Sequence, residues 1–320
     1  MSKGRHKRRE RYWKLYDLAR SRELPVVIDE LARLVDEAGD PWPKAVRGRR
    51  PVHSPRKMVV ICVLTVVLGI SYRSMETLLH LLMLPWQEPV PDHSTIHEAF
   101  KRIPETYINH VLARSAALCI AESGWMKGIV AADSTGIETD RYEGVEVRLK
   151  KTRRRINIKY HVTAILDYNI IMAAKVTSRK TADSPTLRQM LKKLPQMEGS
   201  IFNADKAYDS DKNCMLIYDK GMKPNIKQRG KEGTNRSLRF RRRAAEEFND
   251  ALYRYRGLVE GIFGAEESRK GLKTRSRLKG MQRRWGLARA VGHNLAVLNM
   301  LQCARQLHIE LKPILPNAEA

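Results

Sequence analysis

The chain has 320 residues, with 60 Lys and Arg against 35 Asp and Glu, and its formal charge of +25 departs from the near-neutral balance of a typical soluble enzyme. A polyanionic partner is the simplest cause of such an excess. Four widely spaced cysteines without a CxxC or Cys/His cluster exclude a disulfide framework and a structural zinc, and the longest apolar run, 58–70, is too short to cross a bilayer.

Taken in order, the chain begins with a basic arm over 2–9, expected to be mobile without its partner, and a helical pattern over 11–36 that Pro25 interrupts. A linker rich in Pro, Gly and Arg follows, including Pro41-Trp42-Pro43 and Ser54-Pro55. Three helices are expected next, over 56–68, 74–84 and 94–103, with a glycine-bearing turn at 69–72, Ser94 as an N-cap and Pro104 as the stop. This order suits either a helix-turn-helix-like unit or an ordinary helical packing domain. In the first case His97 and Lys101 of the third helix would contact DNA. His93 and His97 lack a third ligand, so they are read as surface polar residues.

From Ile129 the period changes. Strands are expected over 129–133, 156–166 and 170–177, the middle one alternating as Ile156, Ile158, Tyr160, Val162 and Ala164, with a hairpin turn at 167–169. A helix over 184–194, a strand ending at Asp205, a helix over 211–219 and a short strand over 223–226 complete the series. This order is that of an α/β, ribonuclease-H-like core behind an N-terminal helical domain, with the first and fourth strands side by side. Residues 227–243 read as a basic surface loop, and a long helix is expected over 244–270. On it Tyr253, Arg256, Glu260 and Phe263 recur at three and four residues and share a face, so an Arg256–Glu260 salt bridge is one use of that pair. An apolar stripe over 285–307, with Leu287, Val291, Leu295, Leu298 and Leu301, closes the fold.

Three acids stand out in this order. Asp133 ends Ile129-Val130-Ala131-Ala132, Asp205 ends Ile201-Phe202-Asn203-Ala204, and Glu260 follows on a helix. Two strand-borne carboxylates and one on a helix form an oxygen donor set for hard divalent cations, and with the basic runs over 3–22, 148–159, 223–243 and 269–289 they suggest metal-dependent phosphodiester chemistry. Asp133, Asp205 and Glu260 are thus the candidate catalytic and metal-binding residues, while Lys159, Lys206, Arg256, Arg241, Arg242 and Arg243 are candidate phosphate contacts. Tyr208 is a candidate for stacking on a base, or for packing beneath the strand.

The Val130-Ala131-Ala132-Asp133-Ser134 block, Ala204-Asp205-Lys206-Ala207-Tyr208-Asp209-Ser210, and Tyr253-x-x-Arg256-x-x-x-Glu260-x-x-Phe263 together resemble the DDE transposases of prokaryotic insertion sequences, in particular the group with a Y-R-E signature. The resemblance covers about 56–301 and departs at Glu267, where the family has a basic residue that Arg269 or Lys270 would have to replace. It implies a ribonuclease-H-like core, two Mg²⁺ or Mn²⁺ ions, double-stranded DNA with terminal inverted repeats as substrate, a target DNA, a homodimer on DNA, and no membrane. The corresponding division is 1–52 arm and linker, 53–125 helical DNA-binding domain, 126–310 catalytic domain and 311–320 tail, in a reducing prokaryotic cytoplasm. The alternatives are a nuclease of the same fold without strand transfer and a non-enzymatic DNA-binding derivative.

Overall fold

The structure, a computed structural model, describes residues 3–43, 52–81, 89–142, 155–229 and 239–311. Two compact units divide the chain, 1–123 with 287–311 and 124–286 with 312–320.

The first unit is helical. Helix α1 (Lys3–Ala38) carries Pro25 inside it, so the expected mobile arm and break give way to one helix. A proline there costs the bond that its missing N–H would give Ser21, and the burial of Val27, Leu31, Leu34 and Val35 holds the turns that follow. Helix α2 (Pro55–Leu68) starts with Pro at a position where no N–H is needed and ends at Gly69, whose φ of +66° closes the helix in the left-handed region. The chain then bends by 110° into α3 (Tyr72–Leu81). Helix α4 (His93–Arg102) is capped by Asp92 rather than Ser94, because the Asp92 carboxylate accepts from the Thr95 N–H at 2.6 Å. Helix α5 (Glu105–Ser123) adds to the expected elements; its Tyr107 hydroxyl donates to the Gly39 carbonyl at 2.8 Å.

Residues 287–311, of which 287–310 were expected in the catalytic domain and 311 in the tail, group with these helices. Cys303 and Ala304 pack against Leu15 and Ala19 of α1, and the Asn299 amide donates to the Ala19 carbonyl at 2.6 Å. No single helix among the described residues is long and apolar enough to cross a membrane.

The second unit is built on a sheet. Its elements are β1 (Ile129–Tyr142), β2 (Arg155–Ile165), β3 (Ile170–Ser178), α6 (Asp183–Leu191), β4 (Ile201–Ala204), α7 (Asp211–Tyr218), β5 (Lys223–Ile226), α8 (Arg239–Glu246), α9 (Asp250–Tyr253), a 3₁₀ segment (Arg254–Leu258), α10 (Val259–Lys270), β6 (Lys273–Thr274) and the helix Lys279–Gln306, which it shares with the first unit. The strand order is β3-β2-β1-β4-β5, with β6 on the far part of β1. β1, β2 and β3 pair antiparallel, while β4 lies parallel to both β1 and β5. This is the ribonuclease-H-like arrangement.

Strand β1 does not stop at Asp133. It runs on because β2 continues its ladder, from Val130↔Ile165 to Tyr142↔Arg155. On the other edge β4 pairs only as far as Ala132 and β6 takes over at Glu138, so the β1 edge between them is left to the 3₁₀ segment. One sheet face packs Tyr160 against Phe263 and Trp285, with ring centroids 6.1 and 6.4 Å away. Gly286 meets that face so closely that a Cβ there would lie 2.3 Å from a Val176 methyl.

Two expectations change downstream. Residues 239–243 of the expected basic loop are helical, as the first turns of a helix that runs to Glu246, and 230–238, like 148–154 of the basic run at the start of β2, lie outside the described residues. The single helix expected over 244–270 is three helices and a 3₁₀ turn, with Asn249 capping the second helix by accepting from the Leu252 N–H at 3.1 Å.

Candidate active site

Asp133 and Asp205 each follow directly on a paired position, Ala132↔Ala204, so the parallel ladder carries both carboxylates to one level at neighbouring strands. Each is turned back on its own chain in the same way: Asp133 accepts from the Ser134 N–H at 2.8 Å and Asp205 from the Lys206 N–H at 2.7 Å. The third acid arrives through the 3₁₀ segment. There Arg256 lies 3.3 Å from Asp133 and 3.9 Å from Glu260, so one guanidinium bridges two of the three acids.

The charges act on one another. Burial raises the Asp133 carboxyl above its ordinary range, the Ser134 amide and Arg256 oppose that, and Glu260 and Asp205 push it further up because like charges crowd it. Tyr253, which opens the Tyr-Arg-Glu motif, is likewise pushed up by burial, with Arg256 opposing and Asp205 and Asp133 adding. Tyr253, Arg256, Asp133, Asp205 and Glu260 therefore form one electrostatic cluster.

Whether these residues fit a divalent ion turns on the donors. All three acids are oxygen ligands of the hard type that Mg²⁺ and Mn²⁺ prefer, and the crowding felt by Asp133 is the kind a cation relieves. Yet among the described residues no three His, Cys, Asp or Glu side chains stand together as a closed ligand group. Glu260 is 67% exposed and Arg256 supplies the counter-charge to Asp133, so the shared coordinating reach expected for the three acids is replaced by a pair of aspartates and a bridging arginine. The donor chemistry fits, and closing the shell requires Glu260 to turn inward.

The other candidates fall into distinct places. Lys206 is exposed on the turn after Asp205. Tyr208 is 1% exposed, which removes it as a stacking platform; its ring fills the space beneath the rim, where Asp133, Asp183 and Asp205 add to burial in raising its hydroxyl pKa. Lys159 donates to the Asp183 carboxylate at 2.8 Å and to the Thr181 carbonyl at 3.2 Å, so its charge is already engaged. Asp183, absent from the sequence candidates, was signalled only by its place at the start of α6.

Arg241 is a half-buried cation committed to a buried carboxylate rather than an exposed phosphate contact. It grips Asp209 through Nε and Nη2 at 2.7–3.1 Å, and the Asp209 side chain is 3% exposed. Arg243 pairs with Glu247 at 2.8 Å and lies 4.4 Å over the Tyr218 ring, whereas Arg242 is exposed on the same helix. In the helical unit, Lys101 donates to both Glu98 oxygens at 2.8 and 2.9 Å and His97 stacks edge-on with Tyr72. His93 is bonded to Glu76 at 2.8 Å. The side chains of Arg269 and Lys270 lie outside the described residues.

His161, on β2 opposite Ser134, is fully buried, and its Nε2 meets the Thr177 hydroxyl at 2.8 Å. Burial pulls its pKa down from 6.5 to about 4, with Asp183 opposing and Lys159 and Lys175 assisting. A pKa depressed by folding contributes stability that is present above the unfolded value and lost as pH falls toward the folded one. Stability against urea should therefore fall between pH 6.5 and about 4, and His161→Gln should remove on the order of 3 kcal/mol of that fall. An unchanged slope would show that the imidazole does not report the buried state.

A family model described as the transposase DDE domain matches residues 124–295, more than half of the chain. Among solved structures, a piggyBac transposase synaptic complex with hairpin DNA is similar at 9% identity and a TM-score of 0.39, covering 89% of this chain and 77% of that one. A Mos1 transposase paired-end complex with the left transposon end is similar at 9% identity and a TM-score of 0.23, covering 68% and 82%. No curated protein matches the sequence.

Proposed function

Because the chain belongs to the transposase DDE domain family, we propose that it binds the terminal inverted repeats of an insertion sequence and carries out metal-dependent strand cleavage and strand transfer there. The observation that carries this reading is the placing of Asp133 and Asp205 at one level on adjacent parallel strands, with Arg256 reaching Asp133 from the segment that leads to Glu260. Asp133 and Asp205, with Glu260 turned inward, would hold the two ions. Bound there, divalent ions supply Lewis acid activation of a water or 3′-hydroxyl and neutralise the leaving oxygen.

The chain's own residues do the rest. The antiparallel ladder keeps Asp133 in a rigid strand, the β1–β4 pairing sets its level against Asp205, and Arg256 is released from Asp133 to take a phosphate oxygen as charge arrives. Lys206 and Arg242, both exposed, are suited to sequence-independent phosphate contacts, and the excess of 25 positive charges supports a DNA partner. A homodimer on DNA belongs to the same proposal.

The test is incubation of the full chain with DNA carrying the element's own ends, a target plasmid, and Mg²⁺ or Mn²⁺. Cleaved ends joined to target are expected, and chelation of the ion should abolish both steps. Cleavage without joining would reassign the chain as a nuclease of this fold. Binding with neither step would make it a DNA-binding derivative.

A further inference from the structure

Below the row of catalytic aspartates lies a second row on the same face of the sheet. Two residues before Asp205, Asn203 is paired in register with Ala131 of β1 on one side and Asn225 of β5 on the other. Side chains two apart on a strand share a face, so Asn203 sits directly under Asp205 and beside Asn225. Both amides are buried, at 0% and 3% exposure. Central strand positions of this kind are ordinarily filled by Val, Ile or Leu.

The two amides are bonded to each other and to one short stretch of chain. Asn203 donates to the Leu252 carbonyl at 2.8 Å and accepts from the Asn225 amide at 2.8 Å. Asn225 also donates to the Asn249 carbonyl at 3.1 Å and accepts from the Asn249 N–H at 2.9 Å. Backbone partners fix which end of each amide is oxygen, since a carbonyl only accepts and an N–H only donates. Asn249 then caps the helix that leads into the 3₁₀ segment, where Arg256 reaches Asp133.

Resting on the functional reading above, we propose that Asn203 and Asn225 are positioning residues that clamp 249–252 to the sheet and so set where Arg256 and Glu260 stand relative to Asp133 and Asp205. The clamp explains the broken helix. A continuous helix over 244–270 would direct the Leu252 carbonyl along its own axis, whereas here Asn203 draws that carbonyl to the sheet. Residues i and i+3 eclipse in a 3₁₀ turn, which brings Tyr253 and Arg256 onto one line before α10 resumes. A polar pair that apolar residues could replace in the core is thereby given a use that apolar residues could not serve.

A displacement of about 1 Å at reacting groups can cost about 100-fold in rate, which sets the expected effect of removing the clamp. The discriminating variant is the double substitution Asn203→Leu with Asn225→Leu, because it removes both partners of the amide–amide bond together and leaves unpaired only the Leu252 carbonyl and the Asn249 carbonyl and N–H, groups of the clamped segment itself. Asn225→Asp, which keeps the acceptor and removes both donors, is the second variant and should free the same segment. Three quantities are measured on the full chain: amide hydrogen exchange over 249–260 and over β1 and β4, DNA affinity, and the nicking rate at saturating DNA and Mn²⁺.

In the double-leucine variant, exchange over 249–260 should rise about tenfold while β1 and β4 stay protected, and nicking should fall about 100-fold with affinity changed by less than about twofold. Unchanged exchange and nicking would overturn the proposal, leaving the amides as core filler. So would a parallel loss of strand protection, affinity and nicking, which is what a purely structural role produces. If the unmodified chain nicks no DNA, the functional reading fails on that ground, and the exchange measurement still decides whether the amides hold the segment.

Discussion

Asp205→Asn should abolish cleavage while leaving DNA binding intact or tighter. Asp205 follows β4 at the level of Asp133, and its Oδ1 accepts from the Lys206 N–H, a bond that the oxygen of an isosteric amide retains with the sheet undisturbed. What the substitution removes is one negative oxygen donor. A ligand that stabilises charge in the transition state is worth several kcal/mol, and about 4 kcal/mol corresponds to a fall of about 1000-fold in rate. Phosphate approach moves the other way, because one fewer carboxylate repels the backbone of the DNA. A gel shift and a nicking assay on the same preparation decide it. Equal loss of binding and cleavage would make Asp205 a structural residue and would remove the main support for the site.

Much of this site was legible in the sequence, and the reasons are local. Strand β2 announces itself by alternation, β5 matches 223–226, and the β1–β4 adjacency follows from element order, which is why Asp133 and Asp205 could be paired across 72 positions (205 − 133). Helix α5 was missed although Ile108, Val111, Leu112, Ser115, Ala116 and Cys119 recur at helical spacing, because Pro104, read as a stop, serves as well for a start. Periodicity alone could not separate one helix from several over 244–270. Spacings of three and four fit an α-helix and also fit short helices joined by a 3₁₀ turn, and the break is decided by Asn203 and Asn225, remote residues brought near by strand pairing. Tyr208 shows the same limit, since a motif names the residue while burial against the rim comes from the tertiary fold.

Composition misleads most at Arg241. In a run of basic residues it reads as one more phosphate contact, yet it is committed to Asp209, four residues after Asp205, and its Nη2 also donates to the Arg229 carbonyl at 2.6 Å. Its own N–H donates to Asp211 at 2.9 Å, so the start of α8 is clasped to the start of α7 as well as to the turn that follows Asp205. Arg241→Met removes the cation and leaves the Asp209 carboxylate buried, with the neutral Arg229 N–H at 2.7 Å in place of a counter-charge. Breaking a buried pair from one side costs about 3–5 kcal/mol, far more than an exposed pair is worth, and the thermal midpoint should drop accordingly. Adding Asp209→Asn to Arg241→Met should recover most of that stability, because the double variant buries no uncompensated charge. The salt dependence of DNA binding, measured below the variant's midpoint, should keep the unmodified slope, whereas Arg242→Ala should flatten it by about 0.9 if that guanidinium neutralises one phosphate. An Arg241→Met protein that melts like the unmodified chain but binds all DNA more weakly would place the guanidinium on DNA and dissolve the clasp as a determinant of the fold.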